Sequence, residues 1–382
     1  MRKIGCILLA LCLLLPALPV RGAELEVAGK SALLMDIPTG TVLYEKNAHE
    51  KLPPASVTKV MTMLLIMEAI DAGRIALTDT VTASEAAAGK GGSQIFLKVG
   101  ESMPVSDLLK SIAVSSANDA ACAMAEFIAG SEAAFVTMMN EKAAALGMED
   151  THFVNCTGLD DEPEAENHLT CAYDIALMSR ELMLRHPAVE EFTTIWMDTV
   201  RSGSFGLANT NKLVRFYPGA TGLKTGFTQK AGYCLSATAR REGLGLIAVV
   251  MGCESSQQRF ASCKQLLDYG FANYALVRPE LEESYEIPVT LGVNDRVLAV
   301  PSEEIAFLID RGQKGSVTTR VELLEQVAAP VSQGQRLGTL TVCAGEQVLR
   351  QIPMVAAQPV PKLDFYQLFA IVLRRLTMRS NG

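Results

Sequence analysis

The 382-residue chain has one tryptophan, four histidines, and no block of lysine or arginine to interrupt an acidic balance of −8. Without a cationic face there is nothing to meet a phosphate backbone, so no nucleic-acid partner is expected. None of its nine cysteines falls in a C-x-x-C pair, and their spacings are irregular. Neither a disulfide framework nor a zinc site is indicated, and most of these thiols are expected to be small buried hydrophobes. Charge is also scarce, at 20% against 49% apolar residues, which excludes a disordered chain. The length suggests two domains. No nucleotide-binding loop, internal repeat or long low-complexity stretch is present.

The ends of the chain differ from its body. Arg2 and Lys3 precede an almost unbroken apolar run from Ile4 to Leu18, followed by the small residues Val20, Gly22 and Ala23. This is the layout of a secretory signal peptide over residues 1–22, and the run is shorter than the ~20 residues of a spanning helix. An exported protein is expected. At the other end, Phe365, Phe369, Val372, Leu373 and Leu376 repeat at helical spacing, with Asp364, Gln367, Arg374 and Arg375 roughly opposite and Arg379 flanking them. An apolar face with arginines on the polar side fits a helix lying on a membrane surface. Pro353, Pro359 and Pro361 in the approach suggest a separate tail over residues 359–382.

Between these ends, Ser31–Asp36 and Gly40–Tyr44 read as a hairpin. Helices are expected over Val57–Ala72, Ser106–Val114, Ala120–Ala129, Ser131–Leu146 and Gln258–Ala275, and strands over Gly232–Ala239 and Leu244–Gly252. Strands at both ends with helices between them imply an α+β domain over residues 23–277, an antiparallel sheet carrying a helical insert. After Arg278-Pro279, short strand candidates recur at Glu286–Leu291, Val297–Val300, Val317–Leu323 and Thr339–Cys343. They read as a small all-β domain over residues 278–358.

Three motifs carry chemistry. In Ala55-Ser56-Val57-Thr58-Lys59, residues i and i+3 face the same way, so the Lys59 amine can reach the Ser56 hydroxyl. A lysine takes a serine proton only if burial and a neighbouring cation hold it partly neutral. By itself S-x-x-K is a weak signal, since an N-cap serine near an exposed lysine has the same spacing. Ser116-Ala117-Asn118 lies between two helices, where a loop turns a hydroxyl and an amide toward a cleft. Lys224-Thr225-Gly226 reads as strand: a cation and a hydroxyl that suit a carboxylate, and a glycine that lets a substrate backbone lie along the strand edge.

S-x-x-K, S-x-N and K-T-G in this order form the active-serine constellation of penicillin-binding proteins and serine β-lactamases. The chain resembles a low-molecular-mass penicillin-binding protein, a serine D-Ala-D-Ala carboxypeptidase, over about residues 28–275. Pro53–Thr62, Gly92–Glu101, Asn118-Asp119-Ala120 and Phe153–Leu159 are similar to further family segments, and the β domain and amphipathic tail match the family layout. The resemblance implies that Ser56 attacks the D-Ala-D-Ala carbonyl of peptidoglycan stem peptides, Lys59 takes its proton and Ser116 relays a proton to the leaving D-alanine. It implies that Asn118 binds the substrate amide, and that Lys224 and Thr225, with Gly226 beside them, meet the terminal carboxylate. The backbone N–H groups of Ser56 and Phe227 would form the oxyanion hole. Arg259 matches an arginine that helps hold the carboxylate in some relatives, although a surface arginine on a helix is an equal reading there. β-Lactam antibiotics are implied as covalent inhibitors, and the outer face of the bacterial cytoplasmic membrane or the cell wall as the location. No metal or cofactor is implied. The departure is Ala117, where glycine is commoner, which would add a methyl group beside the cleft.

Two other readings compete. A β-lactamase needs a carboxylate to activate water, and Glu166-Asn167-His168-Leu169-Thr170 is faintly similar to the E-x-x-L-N of class A enzymes. It ends in threonine and lies too far from Asn118. A non-catalytic peptidoglycan-binding protein would not need Ser56, Lys59 and Lys224 together. His49, His152, His168 and His186 lie outside any G-x-S-x-G context and are expected to be surface or packing residues.

Overall fold

The computed structural model describes residues 25–161, 163–281 and 284–370. The expected signal peptide, residues 1–22, and the tail residues beyond 370 lie outside them.

The first half is built on a five-stranded antiparallel sheet. β1 (Ser31–Asp36) and β2 (Val42–Lys46) form the expected hairpin. The chain then makes the helical insert: α1 (Lys59–Asp71), α2 (Val105–Ser115), α3 (Asn118–Ala129), α4 (Glu132–Ala145) and α5 (Ala172–Arg185). It returns through β3 (Ala220–Thr228), β4 (Gly232–Arg241) and β5 (Leu244–Cys253), giving the order β2-β1-β5-β4-β3. α6 (Ser256–Asn273) closes the unit. The two-residue period of the strands divides the core. Ile247, Val249 and Met251 of β5 pack with the helical insert, while Leu246, Ala248 and Val250 pack with α6. α1 crosses the middle of the insert and is buried from Lys59 to Met67 without a break, so it has no polar face.

Two sequence expectations change here. The closing helix ends at Asn273, and Tyr274–Val277 is a strand, β6. It pairs antiparallel with a strand the patterning missed, Phe307–Asp310. The second half is an all-β unit, as expected. β7 (Tyr285–Thr290), β8 (Arg296–Pro301), β9 (Phe307–Asp310), β10 (Val317–Leu323), β11 (Val327–Ala328), β12 (Arg336–Ala344) and β13 (Gln347–Ala356) follow in turn. Six of them form one sheet in the order β10-β12-β13-β8-β7-β11. Pro353 lies within β13 opposite Thr339, and its carbonyl accepts from the Ser302 N–H (2.9 Å), so the proline belongs to the sheet.

The separate tail also starts later than residue 359. Val360 is fully buried in the β core, and exchanges two 2.9 Å backbone hydrogen bonds with Val331. The Leu363 N–H still donates to the Leu291 carbonyl. Past that point Asp364 and Gln367 cap each other reciprocally, Gln367 N to Asp364 Oδ1 (2.7 Å) and Asp364 N to Gln367 Oε1 (3.0 Å). The helix so started exposes Phe365, Tyr366 and Phe369. Among the described residues no single helix is long and apolar enough to cross a membrane.

Candidate active site

Pro53 and Pro54 disfavour helix in the residues before them, so the helical run starts only at Ala55. Its first turn, Ala55–Thr58, is a 3-10 turn, which stacks i over i+3 more directly than an α-helix does. Lys59 Nζ accordingly lies 3.0 Å from Ser56 Oγ, and donates a second hydrogen bond to the Thr157 carbonyl (2.8 Å). Lys59 is fully buried, and that burial pushes its pKa from the ordinary 10.5 down to about 7. Near neutrality much of this amine therefore carries a free lone pair against a serine hydroxyl.

The S-x-N motif forms the turn between α2 and α3. Ser116 ends α2 in the left-handed region (φ 64°), which turns the chain so that α3 can start at Asn118. The Asn118 N–H donates to the Ser93 carbonyl and its Nδ2 to the Gly91 carbonyl, both at 2.7 Å. Only the nitrogen end of the amide can serve Gly91, so the orientation is settled. Oδ1 is then left buried and without a partner among the described residues. Asp119 accepts from the N–H groups of Ile95 and Leu97, stitching the 91–97 segment to the same turn. Ala117 is fully buried among core side chains, so its extra methyl does not protrude into the cleft as the sequence suggested.

The K-T-G residues lie on β3, the edge strand of the sheet, as expected. A Cβ on Gly226 would stand 2.6 Å from the Pro54 carbonyl oxygen and 3.1 Å from the Ser56 nitrogen. Its glycine is therefore required for the strand to reach the Ser56 turn, a closer constraint than the open edge inferred from sequence. Lys224 is buried with Nζ on the Thr225 carbonyl (2.9 Å), and Thr225 Oγ1 donates to Thr210 Oγ1 (2.7 Å). Burial first, then the charges of Lys59 and Arg259, push the Lys224 pKa well below its ordinary value. Phe227 is about half exposed, with its ring against Tyr233 (4.2 Å).

Arg259 is not the exposed helix arginine that was one reading of the sequence. It is buried, sits 5.3 Å from the Tyr233 ring centroid, and donates from Nη1 to the Gly226 carbonyl (3.0 Å). Three cationic side chains thus converge behind one short strand, and two of them are lysines in sites that favour loss of a proton.

The D-alanyl-D-alanine carboxypeptidase family matches residues 19–255, and the C-terminal domain of penicillin-binding protein 5 matches residues 281–362. The chain belongs to the D-alanyl-D-alanine carboxypeptidase family. It is 43% identical over 352 residues to the Bacillus subtilis D-alanyl-D-alanine carboxypeptidase DacF, covering 90% of this chain and 89% of that one. The Escherichia coli carboxypeptidase DacA is 35% identical over 89% of this chain and 86% of its own length. Penicillin-binding protein 5 from Haemophilus influenzae superposes with a TM-score of 0.74 at 28% identity, over 89% of this chain and 99% of that one. Penicillin-binding protein D2 from Listeria monocytogenes, solved in its ampicillin-bound form, gives 0.59 at 32% identity over 65% of this chain and 99% of that one. The chain is thus a carboxypeptidase of the low-molecular-mass penicillin-binding proteins, with the expected α+β catalytic domain followed by an all-β domain.

Within this carboxypeptidase fold, several residues at the site were not singled out from the sequence. Thr157 supplies the second Lys59 contact. Gly158 presses on the Ala55–Thr58 turn, and His168 hydrogen-bonds Thr58 (2.8 Å). Thr157 and Gly158 lie in a segment already seen to resemble the family, which was the available signal. Glu166 is exposed on a short 3-10 turn. Among the described residues, His49, Asp150 and Cys171 bring possible metal-ligand atoms within 4.8 Å of one another. Lys51 already pairs with that carboxylate (3.4 Å), and none of the three belongs to the motifs.

Proposed function

We propose that the protein is an exported, penicillin-sensitive carboxypeptidase that removes the terminal D-alanine from peptidoglycan pentapeptide stems through an acyl-enzyme on Ser56. The observation that carries this reading is the 3.0 Å contact between Ser56 Oγ and a buried Lys59 whose pKa lies at about 7. Lys59 takes the hydroxyl proton as Ser56 Oγ bonds to the penultimate carbonyl carbon. The negative charge that forms on the carbonyl oxygen is met by the backbone N–H groups of Ser56 and Phe227. As the carbon–nitrogen bond breaks, the proton passes by way of Ser116 to the leaving amine. Water then attacks the ester, and the proton it gives up returns the Ser56 hydroxyl. Asn118 holds the substrate amide. Thr225, Lys224 and Arg259 form the carboxylate end of the site, where an incoming anion favours the charged form of Lys224.

Two features favour this over a β-lactamase. The Asp119 carboxylate is occupied by backbone N–H groups, and Glu166 is exposed on its 3-10 turn with, among the described residues, no bond holding it to a motif residue. Neither has the fixed place against Ser56 that activating water for a penicilloyl ester needs. A peptidoglycan-binding protein without activity has no use for a lysine held near neutrality against a serine.

The exposed aromatic residues after Leu363 support a membrane-surface role for the tail, at the outer face of the cytoplasmic membrane. A chain ending at Leu363 is expected to release D-alanine from a soluble D-Ala-D-Ala tripeptide at the full-length rate and to stay off anionic vesicles. The full chain should bind those vesicles, and bind less as salt rises. No D-alanine release from either chain would contradict the carboxypeptidase reading. Loss of activity on truncation alone would make the tail a packed part of the fold.

A further inference from the structure

A line of three hydrogen bonds runs behind the nucleophile turn. The Val154 N–H donates to His168 Nδ1 (3.2 Å), so that nitrogen holds the lone pair and Nε2 carries the proton. Nε2 lies 2.8 Å from Thr58 Oγ1 and donates to it. The Thr58 hydroxyl spends its own proton on the Ala55 carbonyl, also at 2.8 Å. That carbonyl belongs to the same peptide unit as the Ser56 N–H.

We propose that His168 and Thr58 are positioning residues that orient and polarise the Ala55–Ser56 peptide, so that its N–H stabilises the oxyanion formed on the substrate carbonyl. The inference rests on the reading of Ser56 as the nucleophile. A hydroxyl that accepts one hydrogen bond donates the next more strongly, and a carbonyl that accepts one leaves its own N–H more positive. The groups are out of water: Thr58 is fully buried and His168 is 3% exposed, so the polarisation is not screened. The peptide also needs holding. Ala55 stands at φ +47°, a conformation that alanine rarely adopts, and rotation of this unit would turn the N–H away from the cleft. Gly158 and Gly226 crowd the turn: an added Cβ would fall 1.8 Å from the Ala55 oxygen at the first and 3.1 Å from the Ser56 nitrogen at the second. The hydroxyl supplies what this packing cannot, a directional contact on the oxygen. Phe153 fixes the imidazole plane by an edge contact with ring centroids 5.6 Å apart. Burial holds the imidazole pKa down to about 4, which keeps it in the neutral form that the line of bonds needs.

The test uses the full chain and a penicillin, with the bound-complex constant and the acylation rate constant measured separately, and the ester carbonyl stretch of the acyl-enzyme read by infrared spectroscopy. Deleting an oxyanion-hole donor costs roughly 10²–10³-fold, so weakening one by Thr58→Val should slow acylation about 10- to 50-fold. The binding constant should hold and the carbonyl stretch should move to higher frequency, a change that mere loosening of the fold would not select. Thr58→Ser, which keeps the hydroxyl, should restore the rate and the stretch. At position 168, Gln can bring an N–H to where Nε2 stands, whereas Asn reproduces only the Nδ1 end. His168→Gln should therefore acylate several-fold faster than His168→Asn, and this pair decides the matter if Thr58→Val does not fold. Wild-type rate and stretch in Thr58→Val, or equal rates in the two His168 variants, would overturn the proposal. Absence of any ester on Ser56 in the wild type would instead overturn the functional reading on which it rests.

Discussion

Arginine at position 59 is expected to abolish acylation by penicillin, while arginine at position 224 leaves a measurable rate. Position 59 needs an amine that can be neutral, and a guanidinium stays protonated at any working pH. Loss of the general base removes roughly 10²–10⁴-fold, and the larger planar group has no room in a fully buried site beside the Thr157 carbonyl. At 224 arginine supplies the cation that an incoming carboxylate favours, although the fit in that buried site changes, a misplacement of the kind that costs about 10²-fold. The wild-type pH profile follows from the same amine. Below pH 7 Lys59 is mostly protonated and has no lone pair for the serine proton, so acylation should rise with pH through about 7 and then level off. Stopped-flow acylation of the three proteins across pH 5–9 measures both effects. Equal rates for Lys59→Arg and wild type would contradict the assignment of the base.

Gly158→Ala should be among the most damaging single-methyl changes in the chain. Gly158 stands at φ +82°, and its added Cβ would lie 1.8 Å from the Ala55 oxygen, 2.4 Å from the Ala55 carbonyl carbon and 2.7 Å from Thr58 Oγ1. The left-handed backbone costs about 1–2 kcal/mol, and the forced displacement in a packed interior adds about 1–3 kcal/mol. Gly100→Ala separates the two terms. That glycine has φ +76°, and an added methyl there would meet nothing within 4 Å, so it should lose only the backbone part and acylate normally. Urea denaturation at a common slope gives both stabilities. A Gly158→Ala protein as stable as Gly100→Ala, with its acylation intact, would show that the loop does not press on the nucleophile turn.

Much of this site is legible along the chain because its members come in short local motifs. Ser56 and Lys59 are one turn apart, Ser116 and Asn118 flank a single residue, and Lys224 to Phe227 are consecutive. Composition likewise revealed α1 and the two long central strands, largely apolar runs that are buried over most of their length. What it missed depends on contacts distant in sequence. His168 is 110 residues from Thr58, and nothing beside it indicates that its ring ends against the Ala55–Thr58 turn. Arg259 read equally well as a surface residue, because an arginine within a helix looks the same whether it meets water or the Gly226 carbonyl. Pro353 and Pro359 looked like the approach to a free tail. Yet a proline at a sheet position keeps its carbonyl, and the pairing of Val360 with Val331 carries the β unit to Leu363.

The site is built from five separated stretches of chain: the turn before α1, the Ser116 bend, the Thr157 loop, β3 and the start of α6. Each brings one kind of group, a serine beside a lysine, a hydroxyl and an amide, a carbonyl that anchors the lysine, a cation beside a glycine, and an arginine on the Gly226 carbonyl. The buried amine is the costly part, since desolvation works against its charge. The same desolvation makes it a base at neutral pH, which links the packing of α1 directly to the chemistry.

The central claim, that Ser56 is the covalent nucleophile activated by Lys59, is tested most directly by labelling the protein with a reporter penicillin and mapping the adduct by peptide mass analysis. The adduct is expected on the peptide containing Ser56, with no labelling of Ser56→Ala. An adduct on any other serine, or undiminished labelling of Ser56→Ala, would contradict it.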